Sequence, residues 1–184
     1  MGKRNTQSYY IEMDFFKTND LPNININIMT KLFSDGEKTA GIVGFFGPLI
    51  IALICVSQLW NQKPFLYAYI IGFVINKYIN QFLKNAIKQP RPNNGKSLIN
   101  ESYSHEDLYG MPSFHAQSGF YSIAYLFFVK PSTLLFGVQI LIVLSTLYQR
   151  WSYRRHTFEQ LSVGSFIGGI FGYLIYYLTK RILV

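Results

Sequence analysis

The stretch Gly110–Ser122, GMPSFHAQSGFYS, decides the architecture that we expect for the rest of the chain. It contains a turn, a proline, a hydroxyl group and a histidine, and then runs into an apolar segment. Proline is favoured at the first helical position, so we expect a helix that begins at Pro112. The free N–H groups and positive dipole end of that helix would face Ser113 and His115. This predicts a binding site for an anion such as phosphate.

The composition indicates a single membrane domain. Hydrophobic residues make up 49% of the 184 residues and charged residues only 14%, whereas a soluble domain has about 25% charged residues. The net charge of +8 raises nucleic acid as a partner, but the long apolar runs favour a bilayer, and we expect no nucleic-acid partner. The single cysteine, Cys55, excludes a disulfide within the chain.

The distribution of apolar runs predicts an all-α integral membrane bundle. Residues 1–37 are polar and mixed in charge, which predicts an N-terminal arm without a cleavable signal peptide, followed by a transmembrane domain at 38–184. Within the arm, the Asn/Ile alternation at Asn23–Ile28 is compatible with a strand or an amphipathic stretch. Met1–Thr6 fits the loose pattern for myristoylation of Gly2. Because the pattern is short, we expect this to be a chance match. Five transmembrane helices are expected, at about 41–60, 64–83, 113–129, 132–148 and 158–178.

The second predicted span carries polar residues on one face. They lie four positions apart or next to one another: Asn76, Lys77, Asn80, Gln81, Lys84 and Lys88. In a membrane helix such a face must be turned to protein or water, and not to lipid. The stripe therefore predicts an internal polar site near one surface of the membrane.

The fifth predicted span has a face of small residues. Gly164, Gly168 and Gly172 recur every fourth residue, and such a face lets a neighbouring helix backbone approach closely. We therefore expect the last helix to pack against another helix along these glycines.

Five spans place the 85–112 loop and the basic 149–155 connection on the same side of the membrane. Lys84, Arg91, Arg150 and the hydroxyl group of Ser113 are then expected to lie together. Arg donates two hydrogen bonds at once to phosphate oxygens, and Lys supplies a point charge. A ring of this kind suits the negative charge that spreads over the oxygens during phosphoryl transfer.

Two histidines are candidates for the chemistry. His156, which opens the last predicted helix, is the natural nucleophile, since a neutral imidazole can attack phosphorus and form a phosphohistidine. His115 can protonate the leaving oxygen and later activate water. Gln160 lies one helical turn after His156 and can accept a hydrogen bond from its far ring nitrogen, with Glu159 as the alternative partner. Two ordinary interfacial histidines are the competing interpretation, which the spacing beside Arg and Lys disfavours.

These clusters resemble the signature of the type 2 phosphatidic acid phosphatase (PAP2) family, K-x6-R-P, P-S-G-H and S-R-x5-H-x3-D. The chain reads Lys84-x6-Arg91-Pro92, Pro112-Ser113-Phe114-His115 and Gln149-Arg150-x5-His156-x3-Gln160. The spacing within each motif is kept, and the departures are Phe114, Gln149 and Gln160. The segments GMPSFHAQ and HTFEQ are similar to the dolichyl diphosphate phosphatase branch, which has Gln in place of Asp.

The resemblance implies a core like that of PAP2 phosphatases and chloroperoxidases. It also implies a metal-independent enzyme, without a cofactor, that removes the terminal phosphate from a polyprenyl diphosphate at a membrane. The active site would face the lumen of the endoplasmic reticulum or the exterior. The implied catalytic residues are His156, His115 and Gln160, and the implied substrate-binding residues are Lys84, Arg91, Ser113, Phe114 and Arg150.

Other interpretations stay open. The substrate could be phosphatidic acid or another glycerolipid, the chain could bind lipid headgroups without turnover, or it could transfer the headgroup to another lipid. His105 lies among three acidic residues, and a solvated loop is the expected explanation, ahead of a metal site. A glycosylation sequon at Asn100 suits a lumenal loop.

Overall fold

The computed structural model describes residues 26–96 and 108–183, with side chains from Thr39 onward except that of Ala40. In these ranges the chain forms five helices and an isolated β-bridge between Pro90 and Tyr109. The helices are α1 (Ile26–Leu59), α2 (Lys63–Ile87), α3 (Phe114–Val129), α4 (Thr133–Ser152) and α5 (Phe158–Leu183). The all-α class predicted from the sequence is confirmed. The chain from Lys38 onward forms one compact unit.

Three of the described helices are long and apolar enough to cross a membrane, namely Gly41–Leu59 within α1, α4 and α5. Their outer faces expose large apolar side chains, for example Leu53, Leu141 and Ile182, as contact with lipid requires. The other two predicted spans are also helical but differ for physical reasons. α2 carries the polar stripe, and α3 has only 16 residues, fewer than the roughly 20 that a bilayer needs.

α3 is the central helix, because it packs against α2, α4 and α5. Residues on all its sides are buried, including polar ones such as Gln117, Ser118 and Ser122. A helix enclosed by other helices needs no continuous lipid-facing apolar surface. This explains why α3 can be short and can carry hydroxyl and amide groups.

The most extensive helix contact joins α3 to α5 along the glycines of α5. Gly164, Gly168 and Gly172 are all buried. A Cβ atom built on Gly164 would lie 2.6 Å from the carbonyl oxygen of Ser113, and one on Gly168 would overlap the carbonyl group of Gln117. The predicted close packing along this face is confirmed, and the space for it exists only because these residues have no side chain.

Part of the polar stripe of α2 faces the protein interior. Asn76, Asn80 and Lys84 are buried, as predicted, whereas Lys77 and Lys88 are exposed. Lys88 ends the helix in a left-handed conformation with φ of 53°. Gln117 donates through Nε2 to Asn76 Oδ1 (2.8 Å) and accepts from Asn80 Nδ2 (2.8 Å). Asn80 Nδ2 also donates to the carbonyl oxygen of Pro112 (3.1 Å). This network fastens the turn before α3 to α2.

Several predicted helix boundaries are wrong. α3 begins at Phe114 with Ser113 as N-cap, so Pro112 lies in the preceding turn and not at the first helical position. α4 continues past 148 to Ser152, because its last turn keeps its backbone hydrogen bonds and carries a cation at the negative dipole end. His156 precedes α5 and does not open it.

Some predictions concern residues that the structure does not describe. Residues 1–25 and 97–107 contain Gly2, the sequon at Asn100 and His105. Of the Asn/Ile alternation, the described residues from Ile26 onward are helical, so the strand alternative is wrong for them. The division between an arm at 1–37 and a membrane domain at 38–184 stays a prediction.

Candidate active site

Three segments that carry the predicted site residues meet in the compact unit: the loop after α2, the start of α3 and the α4–α5 connection. The backbone N–H of Gly110 donates to the carbonyl oxygen of Gln89 (2.8 Å). The backbone N–H of Ser113 donates to the carbonyl oxygen of Gln160 (3.0 Å). These bonds tie the turn before α3 both to the end of α2 and to the first turn of α5.

His156 is buried in the α4–α5 connection. Its Nδ1 lies 3.0 Å from the carbonyl oxygen of Gly110 and 3.2 Å from Oε1 of Gln160. Its Nε2 lies 3.1 Å from Nη1 of Arg91. Carbonyl oxygens only accept and a guanidinium only donates, so the proton of the neutral ring is on Nδ1 and the lone pair is on Nε2. Glu159, the alternative partner, is exposed and accepts a hydrogen bond from a threonine hydroxyl.

The orientation of the Gln160 amide follows from two backbone partners, of Thr157 and Pro90, whose roles as donor and acceptor are fixed. Oε1 accepts from the backbone N–H of Thr157 (3.2 Å), and Nε2 donates to the carbonyl oxygen of Pro90 and to Oε1 of Gln89 (both 2.9 Å). Oε1 must therefore be the atom that faces His156. An oxygen in place of Nε2 would face the carbonyl oxygen of Pro90, so a glutamine is suited to this position.

The surroundings of His156 favour its neutral form. Burial, followed by the positive charges of Arg91 and Arg150, lowers the pKa of His156 to about 3. The charge of Lys84 acts in the same direction, and the hydrogen bond to Gln160 opposes it without reversing the shift. Because an ordinary imidazole has a pKa of about 6.5, His156 is uncharged at neutral pH. A neutral imidazole is the form that can attack phosphorus.

His115 lies in the first turn of α3 and is half-buried. Arg150 donates through Nη2 to its Nε2. The ring of Phe45 on α1 packs against both residues, with its centroid 5.9 Å from the His115 ring and 4.9 Å from Cζ of Arg150. A cation over an aromatic face is attracted to it. Sequence reasoning missed Phe45, because nothing distinguishes it from the other apolar residues of the first span.

The remaining predicted binding residues lie around the start of α3. Ser113 is fully buried, and its Oγ has no hydrogen-bond partner in the part of the chain that the structure describes. Phe114 packs its ring against Phe73 of α2, with centroids 6.4 Å apart. It is the first residue of α3, where a backbone N–H has no partner within the helix. A buried hydroxyl beside free helical N–H groups is suited to binding an anion. Lys84 is also buried.

The other motif departure, Gln149, lies on α4 next to α1. It is buried, and its Cβ and Cγ occupy the space that a side chain at Gly44 would fill. The longer residue at this position therefore packs against a glycine of α1.

A polar pocket of about 500 Å³ opens beside His156. Its wall includes Asn93, Asn94, Arg154 and Glu159, together with the aromatic rings of Trp151 and Phe158. Within residues 26–96 and 108–183, no three His, Cys, Asp or Glu side chains come together as a metal site requires. Of the predicted catalytic and substrate-binding residues, His156 alone is in the wall of this pocket.

Comparison with known proteins finds the same family as the spacing of the motifs indicates. The model of the PAP2 superfamily matches residues 63–183. The chain is 29% identical over 141 residues to Dolichyldiphosphatase 1 of Dictyostelium discoideum. The aligned region covers 70% of this chain and 59% of that relative. No solved structure matches the chain significantly. The match extends from the start of α2 to the end of α5, and the chain belongs to the PAP2 superfamily.

Proposed function

We propose that the chain is a membrane lipid phosphatase that removes the terminal phosphate of a polyprenyl diphosphate through a phosphohistidine at His156. One observation carries this proposal. His156 is held in a single tautomer, with Nδ1–H bonded to Gly110 and Gln160 and with the Nε2 lone pair directed at Arg91. A purely structural histidine needs no such arrangement among cations.

In the first step, Nε2 of His156 attacks the terminal phosphorus. A P–N bond forms as the bond from phosphorus to the bridging oxygen breaks, and polyprenyl monophosphate leaves. Arg91, Arg150, Lys84 and the Ser113 hydroxyl stabilise the charge on the transferred group. The positive charge on the phosphorylated ring is compensated through Nδ1–H, which keeps its two carbonyl acceptors.

His115 handles the protons of both steps. It donates a proton to the leaving oxygen, and in the second step it accepts a proton from the water that attacks phosphorus and breaks the P–N bond. Inorganic phosphate is then released.

The choice of substrate rests on three observations. The chain has helices fit to cross a membrane, its similar relative is named Dolichyldiphosphatase 1, and Arg154 lines the pocket beside His156. A diphosphate carries a second anionic group next to the one that reacts, and Arg154 is placed to receive it.

We also propose that the site faces the lumen of the endoplasmic reticulum or the exterior. Lys63, Lys130, Lys180 and Arg181 lie in the turns and at the terminus away from the active-site connections. An excess of Lys and Arg marks the cytoplasmic side of a membrane protein.

The function is tested with purified protein in detergent, with EDTA present, and with dolichyl diphosphate and phosphatidic acid as competing substrates. We expect phosphate release with preference for the diphosphate, and its loss in His156→Ala. Preference for phosphatidic acid would assign the chain to glycerolipids. Lipid binding without release would identify a non-catalytic headgroup binder, and a phosphorylated lipid acceptor would identify a transferase.

A further inference from the structure

An apolar groove of about 830 Å³ lies between α4 and α5. These helices follow each other in the chain, but each of them packs against α3 more extensively than against the other. The α4 wall of the groove includes Leu144 and Leu147, and the α5 wall includes Leu161, Phe166 and Ile170. Its volume is within the range of small-molecule sites, roughly 300–1,000 Å³.

The groove and the polar pocket at His156 meet at two aromatic side chains. Trp151, in the last turn of α4, and Phe158, the first residue of α5, line both cavities. The two rings therefore lie between a polar pocket that includes His156 and Arg154 and an apolar groove. The lining changes from polar in the pocket to apolar in the groove, and the polarity of an amphiphile with an anionic head changes in the same order.

The floor of the groove on α5 is made of small residues. Ser162, Ser165 and Gly169 lie on this face, and a Cβ atom built on Gly169 would meet nothing within 4 Å. From Phe158 to Ile170 the helix rises by about 18 Å. A chain with methyl branches needs more width than a straight acyl chain, and small residues beside bulky walls provide that width.

We infer that this groove binds the first isoprenoid units of the substrate, so that the chain, the diphosphate and the reacting phosphorus occupy one continuous site. The inference rests on the proposed function and adds to it a residue set that selects chain type. Trp151 and Phe158 mark the point at which the lipid passes from the polar pocket into the groove. Bulk membrane lipid is the competing occupant, and the experiments below separate the two.

Gly169→Leu fills the floor of the groove, and Gly137→Leu is its matched control. Gly137 lies on α4, outside the groove, and a Cβ there also meets nothing within 4 Å. Both changes replace a helical glycine by the same larger residue in open space, so both should fold. The substrates are a long-chain polyprenyl diphosphate and isopentenyl diphosphate, which has a single isoprenoid unit.

We expect Gly169→Leu to lower the ratio of kcat/KM for the long substrate to that for the short one by about tenfold or more, mainly through KM. Gly137→Leu should leave this ratio as in the unchanged protein. Equal ratios in all three proteins would overturn the inference. If the unchanged protein releases no phosphate from either substrate, the proposed function fails separately.

A binding experiment tests the groove without turnover. A polyprenyl phosphate with a diazirine in its chain is compared with a phosphatidylcholine that carries the same diazirine. We expect the polyprenyl probe to label the segment 161–170, to be displaced by excess unlabelled polyprenyl phosphate, and to lose this labelling in Gly169→Leu but not in Gly137→Leu. Equal, non-saturable labelling by both probes would mean that bulk lipid fills the groove and would contradict the inference.

Discussion

His156 and His115 lie beside the same group of cations but are held in different ways. His156 is buried outside the helices, and both of its ring nitrogens have partners that specify one tautomer. His115 is half-buried on α3, and the contacts described for its ring are with Arg150 and Phe45. A nucleophile must keep one atom in one direction, whereas an acid–base group must exchange protons. These surroundings suit His156 to the role of nucleophile and His115 to the role of acid–base group.

Glycine completes the environment of His156. Gly110 supplies one of the carbonyl acceptors, and a Cβ atom on it would lie 2.6 Å from Cδ of Gln160. The residue before the Met111-Pro112 turn is therefore small because the Gln160 amide occupies the space beside it.

The largest expected effect separates the two histidines. His156→Ala should reduce phosphate release from polyprenyl diphosphate by about 10⁴-fold or more, since the nucleophile is lost. His115→Ala should reduce it by about 10²–10⁴-fold, the usual contribution of general acid–base catalysis. Phosphate release by both variants, measured in detergent, checks the two values.

A substrate with a good leaving group sharpens this comparison. With 4-nitrophenyl phosphate the leaving oxygen needs little help from an acid, so the loss in His115→Ala should shrink, whereas the loss in His156→Ala should stay. Equal losses with both substrates in both variants would show that the two histidines do not divide the roles of nucleophile and acid–base group.

The next effect concerns the amide that orients His156. Gln160→Glu keeps the shape of the side chain but turns a double donor into an acceptor facing Gln89 and Pro90. We expect a loss of activity of about tenfold or more and a loss of stability of about 1–3 kcal/mol. Thermal unfolding and kcat in detergent measure both.

The control for this variant is the opposite change one position earlier. Glu159→Gln alters an exposed carboxylate and should change stability by less than about 0.5 kcal/mol. Wild-type behaviour of Gln160→Glu would contradict the hydrogen-bond assignment of the amide.

The pH dependence tests the charge state of His156. With its folded-state pKa lowered to about 3, the acid limb of kcat/KM that belongs to this group should lie near pH 3, well below 6.5. As the pH falls, the unfolded state takes up a proton on this imidazole before the folded state does. As far as His156 is concerned, the free energy of unfolding is therefore highest above about pH 6.5 and decreases as the pH falls toward 3.

Arg91→Gln removes one of the positive charges that lower this pKa. The acid limb should therefore move to higher pH, while burial keeps it below 6.5. Since Arg91 is also a proposed phosphate ligand, the position of the limb is the informative quantity, and not the rate. An acid limb at 6.5 in the unchanged protein would contradict a buried, neutral His156.

The smallest effect concerns the spacing between the two histidines. Gly164→Ala puts a methyl group against the carbonyl oxygen of Ser113, so α5 must move away from the start of α3. We expect a loss of stability of about 1–3 kcal/mol and a modest fall in kcat. Gly137→Ala, in open space on α4, should be neutral or slightly stabilising. Equal unfolding temperatures for both variants would argue against the glycine contact.

The fold could be predicted to the level of five helices and their glycine contact, because apolar length and the spacing of Gly164, Gly168 and Gly172 are local properties. The central place of α3 could not, because its apolar run looks like any other span until its neighbours are known. The inward side of the α2 stripe was predictable for Asn76 and Asn80, but the exposed Lys88 depended on where the helix ends.

The candidate site divides in the same way. The chemistry of Arg and His in spaced motifs, together with the family resemblance, predicted the residues of the candidate site. The contacts of Gln160 with Gln89 and Pro90, and of Phe45 with Arg150, join residues far apart in the chain. They follow from tertiary packing, which no local pattern encodes.

We propose that His156, and not His115, carries the phosphoryl group. The most direct test uses a polyprenyl diphosphate labelled in its terminal phosphate, a rapid quench in base, which preserves a P–N bond, and peptide mapping of the label. We predict label on His156 in the unchanged protein and in His115→Ala, and none in His156→Ala. Label on His115, or continued turnover by His156→Ala, would contradict the account.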